Sequence, residues 1–92
     1  MLKSDRKFEI VCPNEVLRSM VLEKLESQGV VWIGGDKATD DPVTQDRLVV
    51  LSIGDWELRG DERIAYKFVV NHDRVNKRVT AVDFLFEGDD NV

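Results

Sequence analysis

Polar and apolar positions alternate first at Lys7-Phe8-Glu9-Ile10-Val11-Cys12, which predicts a strand with Phe8 and Ile10 on one face. Pro13 removes a backbone donor that the first turn of a helix does not need, so Cys12-Pro13-Asn14-Glu15 reads as a helix start capped by Cys12 or Asn14. Val16, Leu17, Met20, Val21, Leu22 and Leu25 follow as a broad apolar stripe. Arg18, Glu23, Lys24 and Glu26 fall mostly opposite it, and Gly29 supplies a left-handed stop. The spacing predicts one amphipathic helix over roughly 14 to 28.

Val30 to Ile33 reads as a short strand stopped by Gly34-Gly35. From there to Thr44 the residues are polar, acidic and turn-forming, with Asp41-Pro42 in the middle, which predicts an exposed loop. Arg47 to Ile53 is nearly continuous apolar and β-branched, the pattern of a central strand buried on both faces. Gly54-Asp55 turns the chain, and Trp56-Glu57-Leu58-Arg59 returns as a hairpin partner. Ile64 to Val70 is a further strand, with Ile64, Tyr66, Phe68 and Val70 on one side. Val79 to Phe86 alternates like a strand, yet Thr80-Ala81-Val82-Asp83 also matches a capping box that opens a short helix. The β-branched and aromatic content favours the strand.

Charge changes the picture more than composition does. The 92 residues are 42 % hydrophobic and 34 % charged, a globular balance with room for one core. The net charge of −5 lies wholly between residues 36 and 62. There Asp36, Asp40, Asp41, Asp46, Asp55, Glu57, Asp61 and Glu62 face only Lys37, Arg47 and Arg59. Residues 63 to 86 are locally basic, and Glu87, Asp89 and Asp90 form an acidic tail over 87–92. A nonspecific nucleic-acid binder needs a basic face to displace counterions from phosphates, so direct nucleic-acid binding is not expected. The balance points to a basic partner or to solubility. A lone Cys12 closes no intramolecular disulfide, which predicts a reducing, cytoplasmic setting. The stretch MLKSDRKFEIVCP lacks the apolar core of a signal peptide, and no segment approaches the roughly 18 apolar residues of a membrane span.

Candidate chemistry is sparse. His72 is the only histidine, so no histidine metal set forms, and neither a metal nor a cofactor is expected. A dyad of Cys12 with His72 is formally available, but a cysteine where a strand runs into a helix is ordinarily a small packed residue. The acids of 36 to 46 lack the alternate spacing, glycine and closing glutamate of a calcium loop. Gly34-Gly35-Asp36-Lys37 lacks the later glycine and Lys-Ser/Thr pair of a phosphate cradle. Arg59-Gly60-Asp61 spells an integrin tripeptide in a chain with no export signal, a coincidence whose glycine suits a bend. These readings predict no catalytic residue and no enzyme. Trp32, between apolar neighbours, belongs to the core. Trp56, in the most acidic third, is an interface anchor candidate. The predicted partner patch is Asp36, Asp40, Asp41, Asp46, Asp55, Trp56, Glu57, Arg59 and Asp61.

Leu25-Glu26-Ser27-Gln28-Gly29-Val30-Val31-Trp32-Ile33-Gly34-Gly35 resembles a leucine, glycine, tryptophan, glycine signature of small accessory proteins of tailed bacteriophages. The order of elements resembles theirs over about half the chain, and Asn76 to Leu85 is similar to a closing motif whose threonine caps a final helix. The resemblance implies a context in which a small protein binds a host machine and blocks it, an acidic one by occupying a nucleic-acid channel. Gly29, Trp32 and Gly35 are structural in that signature.

The expected architecture is therefore one α+β domain over 1–86, with a helix packed on one face of a mainly antiparallel sheet of four or five strands. A central strand apolar on both faces wants a second cover, for which a homodimer stacking sheet faces is one solution. The expected function is a non-enzymatic inhibitor that binds a host defence or nucleic-acid-handling protein complex through its acidic region. The competing expectation is a small-ligand binder, such as a sponge for nucleotide signals, with Arg63, Tyr66, Lys67, Arg74, Lys77 and Arg78 lining a basic pocket.

Overall fold

Phe8 to Cys12 does form a strand, β1 (Phe8–Cys12), with Phe8, Ile10 and Cys12 buried on one face. The computed structural model describes residues 8–54, 63–68 and 77–86. The helix α1 (Glu15–Ser27) starts where Asn14 Oδ1 accepts the Leu17 N–H at 2.9 Å, so Asn14 rather than Cys12 caps it. It ends at Gly29, whose φ of 84° is the left-handed conformation that glycine adopts without strain. β2 (Val31–Trp32) is short, and β3 (Val49–Gly54) is buried at Val49, Val50, Leu51 and Ile53. β4 (Arg63–Lys67) and β5 (Arg78–Thr80) complete the strands.

The five strands form one sheet in the order β2-β4-β3-β1-β5. The long ladders, β1 with β3 and β3 with β4, are antiparallel. The short edge ladders, β1 with β5 and β2 with β4, are parallel. The chain is α+β as expected, and its mainly antiparallel sheet is mixed because α1 and later connections return strands to the edges in the direction of β1. β3 sits centrally, and full burial of Leu51, Ile53 and Ile64 in contact rows stabilises the fold by about 1.5 to 3 kcal/mol per side chain.

Two expectations are corrected here. Residues 79 to 86 are not one strand: after β5 the chain enters α2 (Ala81–Phe86), and Thr80 Oγ1 accepts the Asp83 N–H at 3.1 Å. The cap wins because Ala81 and Phe84, three residues apart, are both buried and fit one helical face. The apolar stripe of α1 is also rotated from the expected one. Val16 and Met20 are exposed, whereas Arg18, Val21, Leu22 and Leu25 point inward, with Arg18 fully buried. α1 and α2 lie on the same side of the sheet and touch each other, with Phe84 6.2 Å from Phe8 between ring centroids and Lys24 Nζ 4.5 Å from the centre of the Phe84 ring.

The opposite face of the sheet centre carries a charge cluster. Glu9 is 7 % exposed and accepts from Lys67 Nζ at 2.8 Å and from Arg78 Nε and Nη2 at 3.1 and 3.0 Å. Burial pushes the Glu9 carboxyl up, but those hydrogen bonds and the two positive charges outweigh it and hold it below the usual glutamate range. Val50, on the same face, is fully buried within the single chain, so its cover does not require a second copy.

Candidate functional site

The acidic segment between β2 and β3 is built around Arg18. Its Nε donates to Asp41 Oδ2 at 2.6 Å, Nη2 donates to the carbonyls of Val43 and Gln45 at 3.1 and 3.0 Å, and Nη1 to that of Arg47 at 3.3 Å. A planar guanidinium matches this set because its donors fan out in fixed directions toward a carboxylate and three carbonyls. Asp41 Oδ1 accepts the Val43 N–H at 2.9 Å, closing a local turn, and Asp46 Oδ1 accepts the Glu15 N–H at 2.9 Å in the first turn of α1. A carboxylate there also meets the positive end of the helix. Glu26 ties the other end by accepting from the Thr39 hydroxyl and N–H at 2.6 and 3.0 Å. The hydroxyl bond and then the N–H bond hold its carboxyl below the usual range.

The segment is thus a loop exposed along most of its length, as expected, that folds around a small core of its own. Ala38 and Val43 are buried, and the Trp32 indole, itself buried as expected, donates to the Ala38 carbonyl at 3.0 Å. Ordering this many carbonyls needs donors, and Arg18 with Trp32 supplies them.

Between that loop and β4 lies a cleft of about 330 Å³ lined by Trp32, Ile33, Gly34, Asp36, Asp40, Pro42, Ala65 and Tyr66. Its floor continues into a row of rings: Tyr66 stands edge-on to Trp32 at 5.9 Å and to Phe68 at 5.4 Å. Arg47 stacks on Phe68 with its guanidinium carbon 4.2 Å from the ring centre. Ile33, Tyr66 and Phe68 are about two-fifths exposed, at 41, 42 and 40 %.

The nine residues of the expected patch therefore separate. Asp36 and Asp40 come together at the rim of the cleft. Asp41 is half-buried against Arg18, and Asp46, though exposed, is engaged by the α1 terminus. Asp55, Trp56, Glu57, Arg59 and Asp61 lie outside the described residues. Ile33 and Tyr66 were not among the expected acidic-site residues, and no local pattern marks them: Ile33 ends an unbroken apolar run, and Tyr66 shares its side of β4 with the fully buried Ile64. Of the bases expected to line a ligand pocket, Lys67 and Arg78 are held on Glu9, and Arg63 Nη1 approaches the Trp32 carbonyl at 3.5 Å. Arg74 and His72 lie outside the described residues.

Cys12 is fully buried, and burial pushes its thiol up to about 12. A thiol in that state supplies no thiolate near neutrality. Among the described residues no group of three or more His, Cys, Asp or Glu is placed to hold a metal ion, and no helix is long and apolar enough to cross a membrane.

No family model, curated protein or solved structure matches this chain. The residues themselves carry the functional argument.

Proposed function

We propose that the chain is a non-enzymatic inhibitor that engages a protein partner with a basic surface, using the cleft walled by Trp32, Ile33 and Tyr66 and rimmed by Asp36 and Asp40. The observation that carries this reading is the joining of exposed aromatic and aliphatic surface to two carboxylates in one concavity. Aromatic anchors inside a charged rim are the composition of energetic centres in protein interfaces. The setting supplied by the phage-like signature is a host cytoplasm, with a defence or nucleic-acid-handling complex as the blocked machine. The rival reading, a nucleotide-type ligand on the basic segment, is weakened by the commitment of Lys67 and Arg78 to Glu9.

The test is an affinity capture from bacterial lysate with tagged wild-type protein and the double variant Asp36→Lys/Asp40→Lys, at low and high salt, read by mass spectrometry. A stoichiometric protein partner that is lost with added salt and lost in the double variant is the expected result. Both acids are exposed and hold no ion pair among the described residues, so the variant should keep its denaturation midpoint within about 0.5 kcal/mol of wild type. A partner that binds the double variant equally well, or a small nucleotide released from the bait in place of a protein, would overturn the reading.

A further inference from the structure

The cleft has a second property, set by the backbone. β2 pairs with β4 only through Val31 with Arg63 and Trp32 with Ile64, and its last bond runs from the Ile33 N–H to the Ile64 carbonyl at 2.9 Å. The N–H and C=O of one strand residue point to the same side, and successive residues alternate. Ile64 thus faces β2, Arg63, Ala65 and Lys67 face β3, and Tyr66 again faces the β2 side. By then the chain of β2 has left, turning at Gly35, whose φ is 99°. Among the described residues no backbone group pairs with Tyr66 on that side. The edge that the described residues leave open therefore lies beside the cleft, and Tyr66 belongs to both.

We propose that the site holds an extended, cation-bearing segment of the partner protein, added as a strand along the edge of β4 at Tyr66, with a lysine or arginine side chain lying in the cleft. This rests on the acidic-surface reading above and specifies how the partner is held. Strand addition satisfies the unpaired edge groups, and the cleft supplies the selectivity. A lysine or arginine carries an aliphatic stem and a charged head. The floor of Ile33, Trp32 and Tyr66 fits the stem, and Asp36 and Asp40 fit the head. Arg47 on Phe68 is the same pairing made within the chain, one ring further along the row.

A short synthetic peptide alternating lysine and valine, and its glutamate-for-lysine counterpart, are the probes, titrated into isotope-labelled full-length protein. The lysine peptide should bind, the glutamate peptide should not, and the Tyr66 amide should become protected from hydrogen exchange in the complex. Tyr66→Ala removes the ring and keeps the donor, whereas Tyr66→Pro removes both. Proline is tolerated where a strand N–H faces an open edge, so Tyr66→Pro should bind about five- to tenfold more weakly than Tyr66→Ala. Equal affinity of these two variants, equal binding of the two peptides, no binding of the lysine peptide, or an unprotected Tyr66 amide in the wild-type complex each overturns the proposal. The amide measurement decides even where a variant fails to fold. An acid-dependent lysate partner whose complex leaves Tyr66 unprotected would sink strand addition and leave the acidic-surface reading standing. A lysate that yields no acid-dependent protein partner at all would remove that reading.

Discussion

Arg18 and Glu9 are the two buried charges among the described residues, and they are buried for different reasons. Arg18 exchanges water for one carboxylate and three carbonyls, so it organises backbone that would otherwise lie unpaired under the helix. Arg18→Leu would leave Asp41 and those carbonyls without donors. It should cost about 3 to 5 kcal/mol in urea unfolding. Arg18→Lys keeps the charge and loses the fork, and about 2 kcal/mol should go in the same measurement. If the leucine variant matched wild type, the loop would have to be held by other contacts. Glu9 joins Lys67 and Arg78 across three strands. Its folded pKa lies below the ordinary value of 4.5, so its stabilisation is fully present above that value and is lost as pH falls through the lower folded value. Midpoints measured from neutrality down to acid should therefore fall below about pH 4.5 for wild type. The Glu9→Gln variant should start about 2 kcal/mol less stable, because the two cations are only partly buried, and should show a shallower acid slope.

At the scale of elements, caps settled what hydrophobic pattern left open. Val79 to Phe86 satisfies a strand alternation and a capped helix alike, and β-propensity tips the reading to the strand. The chain divides the segment instead: Val79 and Thr80 pair with β1, and Thr80 then turns the rest into α2. Propensity lost because a six-residue helix can lay Phe84 against Phe8 and Lys24, a contact that an edge strand at that place would not make. Thr80→Ala should cost about 1 kcal/mol and speed hydrogen exchange in α2 first. Exchange that quickens uniformly across the sheet would mean that α2 is not a separate opening unit. The rotation of α1 has a parallel cause. Positions 18, 21, 22 and 25 form one helical stripe, and counting only apolar residues moved that stripe toward Val16 and Met20 and hid the arginine in it.

For the whole molecule, the acidic excess divides into two uses. Asp41 and the exposed Asp46 hold the loop to α1, while Asp36 and Asp40 line the cleft beside the rings of β2 and β4. Composition gives all four the same weight, since charge along a chain carries no direction. The sequence by itself determined the α+β class, the helix with its Gly29 stop, the central place of β3 and the core role of Trp32. Each depends on local periodicity or on a backbone conformation that few residue types adopt. Only the tertiary structure decided the parallel edge ladders, the inward turn of Arg18, the charge cluster on Glu9 and the meeting of Tyr66 with Asp36 and Asp40. Those rest on pairs 30 or more residues apart in several cases, and a long-range partner is chosen by the geometry of the assembled sheet, which local pattern does not encode.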